Sequence, residues 1–186
     1  MPNHYIMRKY FLILALALFS TGAFAQSYIV MDKTDSDGVR LVKTSSVTIS
    51  NNAGQFDVSF IGAKLDFFKT YAVIIESKKG EKAWYVDKGS YLAVDIAEKT
   101  VYAKANKDVR PKVVYDKDAK KPYYEFMAEF EIPYENGSDL LDEINSLSFQ
   151  LRDSNNLKQQ FKLDIPQETS KEMAEIFFEL MKTILL

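Results

Sequence analysis

The sequence predicts a mainly β fold, an antiparallel β-sandwich or barrel of about ten strands. After Gln26 the apolar residues mostly alternate with polar ones, as they do along strands that bury one face. The alternating segments are short, and turns rich in Gly, Pro, Asp or Asn separate them. No internal repeat, low-complexity tract or linker interrupts residues 26–186, so we expect one domain there.

The strand-like segments follow one another from residue 27 to residue 165. They are 27–33, 39–44, 46–50, 56–60, 67–77, 82–86, 91–96, 100–105, 112–116, 123–132, 147–154 and 157–165. The segment FFKTYAVIIES is nearly all apolar, which predicts a central strand covered on both faces. In YYEFMAEFEI the apolar residues alternate with Glu125, Glu129 and Glu131, which predicts a half-buried strand.

Two segments have helical spacing instead. Leucines and an isoleucine in GSDLLDEINS predict a short helix near 138–145. Apolar residues at three-four spacing predict a C-terminal amphipathic helix near 169–185, and Thr169 with Glu172 fits a capping box at its start. We expect this helix to pack on the sheet, with dimerisation or membrane contact as the alternatives. The helix and the polar outer strand faces argue against an outer-membrane barrel.

The first 25 residues have the layout of a secretory signal peptide. Two basic residues precede an unbroken apolar run from Phe11 to Phe19, and an Ala-Phe-Ala motif ends at residue 25. The run is shorter than the roughly 20 residues that a spanning helix needs. No cysteine follows it, which excludes a lipoprotein anchor. We expect residues 1–25 to be removed and the mature protein to start at Gln26, in the periplasm or outside the cell, with no membrane span left.

Loss of that segment restricts the available chemistry. The only histidine, His4, lies within it, and the sequence has no cysteine. A mature chain without imidazole or thiol excludes Ser-His-Asp and Cys-His catalysis and the usual zinc and haem ligands. Two basic and no acidic residues leave, so the formal net charge moves from -2 to -4, which gives no general attraction to nucleic acid or an anionic membrane. We expect a non-enzymatic protein with no cofactor.

The segment DKTDSDGVRLVKT has a partial likeness to a calcium-binding loop. Aligning Gly38 with the glycine of an EF-hand places Asp35 and Asp37 at ligand positions. Lys33 then occupies the first ligand position and Thr44 the last, where a bidentate Glu is needed. We therefore interpret the segment as a hairpin turn and expect no metal site.

Charge is unevenly distributed between residues 104 and 145. Residues 104–121 contain seven basic and three acidic side chains, whereas 123–145 contain seven acids and no base. A basic loop for an anionic ligand is one interpretation, and a hairpin that pairs Lys with Glu across neighbouring strands is the favoured one. Glu125 and Glu129 cannot serve as a glycosidase pair, since four residues along a strand span about 13 Å, beyond the roughly 5 to 9.5 Å that such enzymes use.

Aromatic residues flank the turn DKGS at 87–90. Exposed Trp and Tyr suit sugar or protein surfaces, because a rigid apolar ring there carries a polar group. Trp84, Tyr85 and Tyr91 are therefore the candidate binding residues. Alternation places Trp84 and Tyr85 on opposite faces, so at most one of the two faces outward from a one-sided sheet.

Two functions of different classes follow. The first is an exported binding or structural module that contacts a protein or glycan surface. The second is a periplasmic carrier that holds a small, lipid-like apolar ligand inside a β-barrel. A packed interior favours the first, and an open cavity favours the second.

Overall fold

The computed structural model describes residues 27–51 and 54–186, so the predicted signal peptide and its cleavage point lie outside the described residues. This part of the chain forms eleven strands. They are β1 (Ile29–Thr34), β2 (Arg40–Thr44), β3 (Val47–Asn51), β4 (Gly54–Leu65), β5 (Phe68–Gly80), β6 (Tyr91–Ile96), β7 (Lys99–Ala105), β8 (Lys112–Asp116), β9 (Lys121–Ile132), β10 (Ile144–Arg152) and β11 (Lys158–Asp164). A 3₁₀ helix (Tyr134–Leu141) precedes β10, and helix α1 (Gln167–Leu185) follows β11.

All eleven strands belong to one antiparallel sheet. Its order is β1-β2-β4-β5-β9-β7-β6-β10-β11, with β3 beside β4 and β8 beside β9. The sheet is not closed into a barrel. It curls until Phe56 of β4 meets Phe149 of β10 and Phe161 of β11, with ring centroids 5.5 and 5.6 Å apart. The mainly β antiparallel prediction is confirmed, and of its two architectures the sandwich-like one is observed.

Strand β9 connects the two halves of the sheet. One edge of β9 pairs with β5 along most of its length. The other edge pairs with β8 from Lys121 to Glu125 and with β7 only at Phe130 and Glu131. The segment between β7 and β8 contains Val109, which forms an isolated bridge with Val86 in the segment before β6.

Burial along the strands follows the predicted alternation. In β5 the run from Tyr71 to Ile75 is buried on both faces, as predicted for a central strand. In β9 the side chains of Phe126, Ala128 and Phe130 are buried on the inner face. Residues 82–86 are different from the prediction, because they form only isolated bridges instead of a strand.

Helix α1 covers the sheet as predicted. Its buried residues are Ser170, Met173, Ile176, Phe177, Leu180 and Ile184. The Phe177 ring packs against Phe60 and Tyr71, with centroids 5.1 and 5.5 Å apart. A side chain at Gly62 would collide with Ile184, so the glycine allows the helix to approach β4 closely.

The helix ends differ from the sequence prediction. Helix α1 begins at Gln167 after Pro166, and no side chain caps it, so the predicted capping box is wrong. The short helical segment before β10 is present as a 3₁₀ helix and lies about one turn earlier than 138–145. Among the helices of the described chain, none is long and apolar enough to cross a bilayer.

Candidate functional site

The structure separates the three predicted aromatic residues. Trp84 is only 8% exposed, and its ring lies edge-on to Phe161 at a centroid distance of 5.1 Å. Trp84 therefore belongs to the core and is removed from the predicted binding surface. Tyr85 is half-buried and Tyr91 is exposed, so these two remain on the outside. The expectation that at most one of Trp84 and Tyr85 faces outward is met.

Tyr85 is fixed by Arg152 at the end of β10. The two residues exchange backbone hydrogen bonds, from Tyr85 N to Arg152 O at 2.8 Å and from Arg152 N to Tyr85 O at 2.9 Å. The Arg152 guanidinium also lies 5.0 Å from the centre of the Tyr85 ring. A cation at this distance is attracted to the face of the ring, so it limits the ring's freedom.

Arg152 also holds Asp87, which starts the turn before β6. Its Nη2 donates to Asp87 Oδ1 at 2.9 Å, and its Nη1 donates to Asn156 Oδ1 at 2.7 Å. The hydrogen bond from Arg152 lowers the pKa of Asp87 below its ordinary value, and the same contact raises the pKa of Arg152. The turn before β6 is thereby tied to β10.

Tyr91 and Tyr102 form an exposed aromatic pair on the neighbouring strands β6 and β7. They are 56% and 58% exposed, and their rings meet edge to face with centroids 6.4 Å apart. The Lys104 ammonium lies 5.8 Å from the Tyr91 ring centre. Leu92 and Val94 of β6 and Val101 of β7 point into the core. Because side chains alternate along a strand, Tyr91 and Tyr102 project from the outer side. Two broad aromatic surfaces are left in solvent.

A shallow cleft lies beside this pair on the outer surface of β7, β6, β10 and β11. Its floor contains the small residues Ala93 and Ser148, which pair with each other across β6 and β10. On its other side Ala93 pairs with Tyr102 of β7. Its volume is about 480 Å³. We call this surface the tyrosine face, and its residues are Asp87, Lys88, Gly89, Ser90, Tyr91, Ala93, Tyr102, Ser148, Gln150, Lys158 and Gln160.

The polar side chains of the tyrosine face have spare hydrogen-bonding capacity. Gln150 and Gln160 face each other in register across β10 and β11. Within residues 27–51 and 54–186, neither glutamine forms a side-chain hydrogen bond, and Ser148 forms none either. Each amide offers two donors and one acceptor oxygen to a bound molecule.

Sequence reasoning missed Tyr102, Gln150 and Gln160. Alternation alone marks each of them as outward-facing, because each stands between buried neighbours or beside them in its strand. Their proximity to Tyr91 depends on β6 lying between β7 and β10, which is a long-range pairing. The missing information was therefore strand order and not residue type.

The uneven charge between residues 104 and 145 is organised as the favoured interpretation expects. Strands β8 and β9 form the predicted hairpin, in which Lys112 pairs with Glu125. Their charged atoms are 3.7 Å apart, and Lys107 lies 3.9 Å from Glu129. Exposed pairs of this kind contribute little stability, but they neutralise one another.

The Asp-rich turn between β1 and β2 uses its carboxylate internally. Asp35 Oδ1 accepts hydrogen bonds from the backbone N–H groups of Asp37 and Val39, both at 2.9 Å. This is the local pattern that favours Asp in turns. In the part of the chain that the structure describes, no three His, Cys, Asp or Glu side chains are grouped so that they could hold a metal ion.

Comparisons of this chain with protein-family models, with curated proteins and with solved structures find no match. The tyrosine face is therefore the feature from which we propose a function.

Proposed function

We propose that the protein is an exported, non-enzymatic binding module that contacts a glycan through the tyrosine face. The observation that carries the proposal is the pair Tyr91 and Tyr102, each more than half exposed beside a polar cleft. Contiguous exposed aromatic surface with a polar rim is typical of interaction sites.

The chemistry of the cleft matches a sugar better than an apolar ligand. A pyranose ring has a C–H face that packs on an aromatic ring and a rim of hydroxyls that need hydrogen bonds. The tyrosines supply the ring surface, and Gln150, Gln160 and Ser148 supply amides and a hydroxyl next to it. The shallow floor at Ala93 leaves room for an extended chain to lie across the strands.

The carboxylates support binding without catalysis. Hydrolysis of a glycosidic bond ordinarily needs two carboxyl groups, one of them with a raised pKa. Asp87 is the one carboxylate among the residues that line the cleft, and Arg152 lowers its pKa. A carboxylate kept ionised by a hydrogen-bonded guanidinium is a poor proton donor near neutral pH.

The interior gives no comparable support to a carrier of apolar ligands. The space between the two halves of the sheet contains Phe56, Phe149, Phe161 and Trp84, whose rings are in mutual contact. Phe149 and Phe161 stack with centroids 5.6 Å apart and an angle of 8° between their planes. We expect native mass spectrometry of the purified protein to show the bare chain without retained lipid.

A glycan array tests the proposal. We expect the wild-type protein to retain one class of oligosaccharide, and Tyr91→Ala with Tyr102→Ala to weaken binding at least tenfold through loss of the stacking surface. Tyr115→Ala is the matched control, because Tyr115 is 61% exposed but lies on β8, away from the cleft.

Two results would count against the proposal. One is a wild-type protein that retains no oligosaccharide at any tested concentration. The other is equal weakening by the Tyr115 control, since binding would then not depend on the tyrosine face. Far-ultraviolet circular dichroism of each variant shows whether the fold is intact.

A further inference from the structure

The turn between β4 and β5 presents two phenylalanines to solvent. Leu65 pairs with Phe68, so the turn itself consists of Asp66 and Phe67. Phe67 is 96% exposed and Phe68 is 80% exposed. The backbone is held in a tight, left-handed conformation at Asp66, where φ is 52°. We call residues 65–68 the phenylalanine turn. It is a convex tip and not a groove.

Two lysines flank this turn without a carboxylate partner. Lys64 and Lys69 stand opposite each other in the register of β4 and β5. Like charges directly opposite across two strands destabilise a sheet. Within residues 27–51 and 54–186, neither lysine forms an ion pair. By contrast, Arg40, which pairs with Lys64 on the other side, is neutralised by Asp32 at 2.8 Å.

We infer that the phenylalanine turn inserts into the surface of a lipid bilayer that carries anionic headgroups. A convex apolar tip can enter the boundary between headgroups and acyl chains, where aromatic rings are favoured. Lys64 and Lys69 would then lie at headgroup level, where a negative surface potential offsets their mutual repulsion. One partner therefore accounts for both the exposed rings and the unneutralised lysines.

Nearby carboxylates set the balance between these two contributions. Asp66 lies in the turn, and the neighbouring turn between β1 and β2 carries Asp35 and Asp37. Because these acids oppose attraction to anionic lipid, ring insertion supplies the larger part of binding. The lysines supply the preference for anionic over neutral lipid. The mild negative charge of the whole protein is consistent with contact limited to this tip.

A tryptophan probe at the tip tests the inference in the full chain. Phe67→Trp is mixed with vesicles of neutral phosphatidylcholine, or of phosphatidylcholine with phosphatidylglycerol, each with brominated acyl chains. We expect a blue shift and quenching of its fluorescence with both kinds of vesicle, and a larger change with the anionic ones. Quenching reports on position 67 itself, whatever else in the chain touches lipid. The native Trp84 is buried and adds a constant background.

Leu157→Trp is the matched control, because Leu157 is 66% exposed in the turn between β10 and β11. We expect no quenching at this position. In the Phe67→Trp chain, Lys64→Glu with Lys69→Glu should weaken partitioning into anionic vesicles at least tenfold and leave weak binding to neutral vesicles nearly unchanged.

Three results would overturn the inference. The first is a Phe67→Trp spectrum that no vesicle changes. The second is equal quenching at positions 67 and 157, which would place the contact elsewhere. The third is self-association of the wild-type chain in sedimentation, abolished by Phe67→Ala without vesicle binding, which would assign the turn to a second copy of the protein.

Discussion

Two outer surfaces of the sheet differ in whether their polar side chains have partners. On the outer side of β2, β4 and β5, Lys43 pairs with Glu76 at 2.8 Å and Lys78 pairs with Asp57 at 3.1 Å. We call this the paired face. On the tyrosine face, the glutamines and a serine have no side-chain partner within the described chain, and two tyrosine rings stand in solvent. The same alternation thus yields one surface with paired charges and one surface with unpaired amides and exposed rings.

This difference is the reason why we propose a binding partner at the tyrosine face. On the paired face, charges neutralise each other above buried Ala72 and Ile74. On the tyrosine face, donors, acceptors and rings remain available at no structural cost to the fold. Surface groups that contribute little to stability while being held in place are the ones expected to serve binding.

The largest stability effect should come from beneath the tyrosine face. Trp84→Ala removes a buried ring from its contact with Phe161, and we expect a loss of about 3–5 kcal/mol in the free energy of unfolding. Chemical denaturation measures it. Tyr91→Ala is the comparison from the surface and should lose less than about 1 kcal/mol. Similar losses for both variants would contradict the separation of core and surface.

Substitution on the paired face should cause a loss of stability smaller than that of Trp84→Ala. The Glu76 and Lys43 side chains are only 16% and 26% exposed. Glu76→Ala would leave Lys43 partly buried without its acceptor, so we expect a loss of about 1–2 kcal/mol in urea denaturation. Lys112→Ala, which breaks a pair with a 76% exposed lysine, should change stability by less than about 0.5 kcal/mol. Equal losses for Glu76→Ala and Lys112→Ala would mean that the ion pairs of the paired face contribute no more stability than an ordinary exposed pair.

The pH dependence of stability should report the contact between Asp87 and Arg152, which holds the turn at the tyrosine face. Arg152 lowers the pKa of Asp87 in the folded protein, so this contact contributes stability above the unfolded pKa of about 3.9 and loses it as the pH falls through the folded value. We expect Asp87→Asn to be less stable than wild type at pH 7. The difference in melting temperature should shrink below about pH 4. A difference that grows with acidity would contradict the assigned direction.

The smallest stability effect should come from the glutamines. Gln150→Ala with Gln160→Ala removes two exposed amides, so we expect a change of less than about 0.5 kcal/mol in the free energy of unfolding. Binding on the glycan array should nevertheless weaken. A large loss of stability in thermal denaturation would show that the amides hold the sheet together and are not reserved for a ligand.

Much of the fold could be predicted because apolar alternation reports burial directly. Strands β5 and β9 and the buried stripe of α1 follow from residue spacing alone. The start of α1 could not be predicted from its capping motif, because the helix begins at Gln167, directly after Pro166 and two residues before Thr169. Local propensity is a weak guide to a boundary when tertiary packing sets the position of the helix.

The candidate site was only partly predictable, for a physical reason. Tyr91 lies in a regular strand, so its outward position follows from its neighbours. Trp84 lies in an irregular segment whose bridges to Arg152 and Val109 are long-range, so local alternation does not decide its burial. Tyr102 and the glutamines join Tyr91 only through strand order, which one sequence does not specify.

We propose that the tyrosine face, and not the paired face, binds a glycan. The most direct measurement is a ¹H–¹⁵N NMR titration of the protein with the oligosaccharide that it retains best on the array. We predict shift changes at residues 87–104 and 148–160, and none in the region around Lys43, Asp57 and Glu76 on the paired face. Shifts confined to the paired face, or no shifts at a saturating oligosaccharide concentration, would contradict the claim.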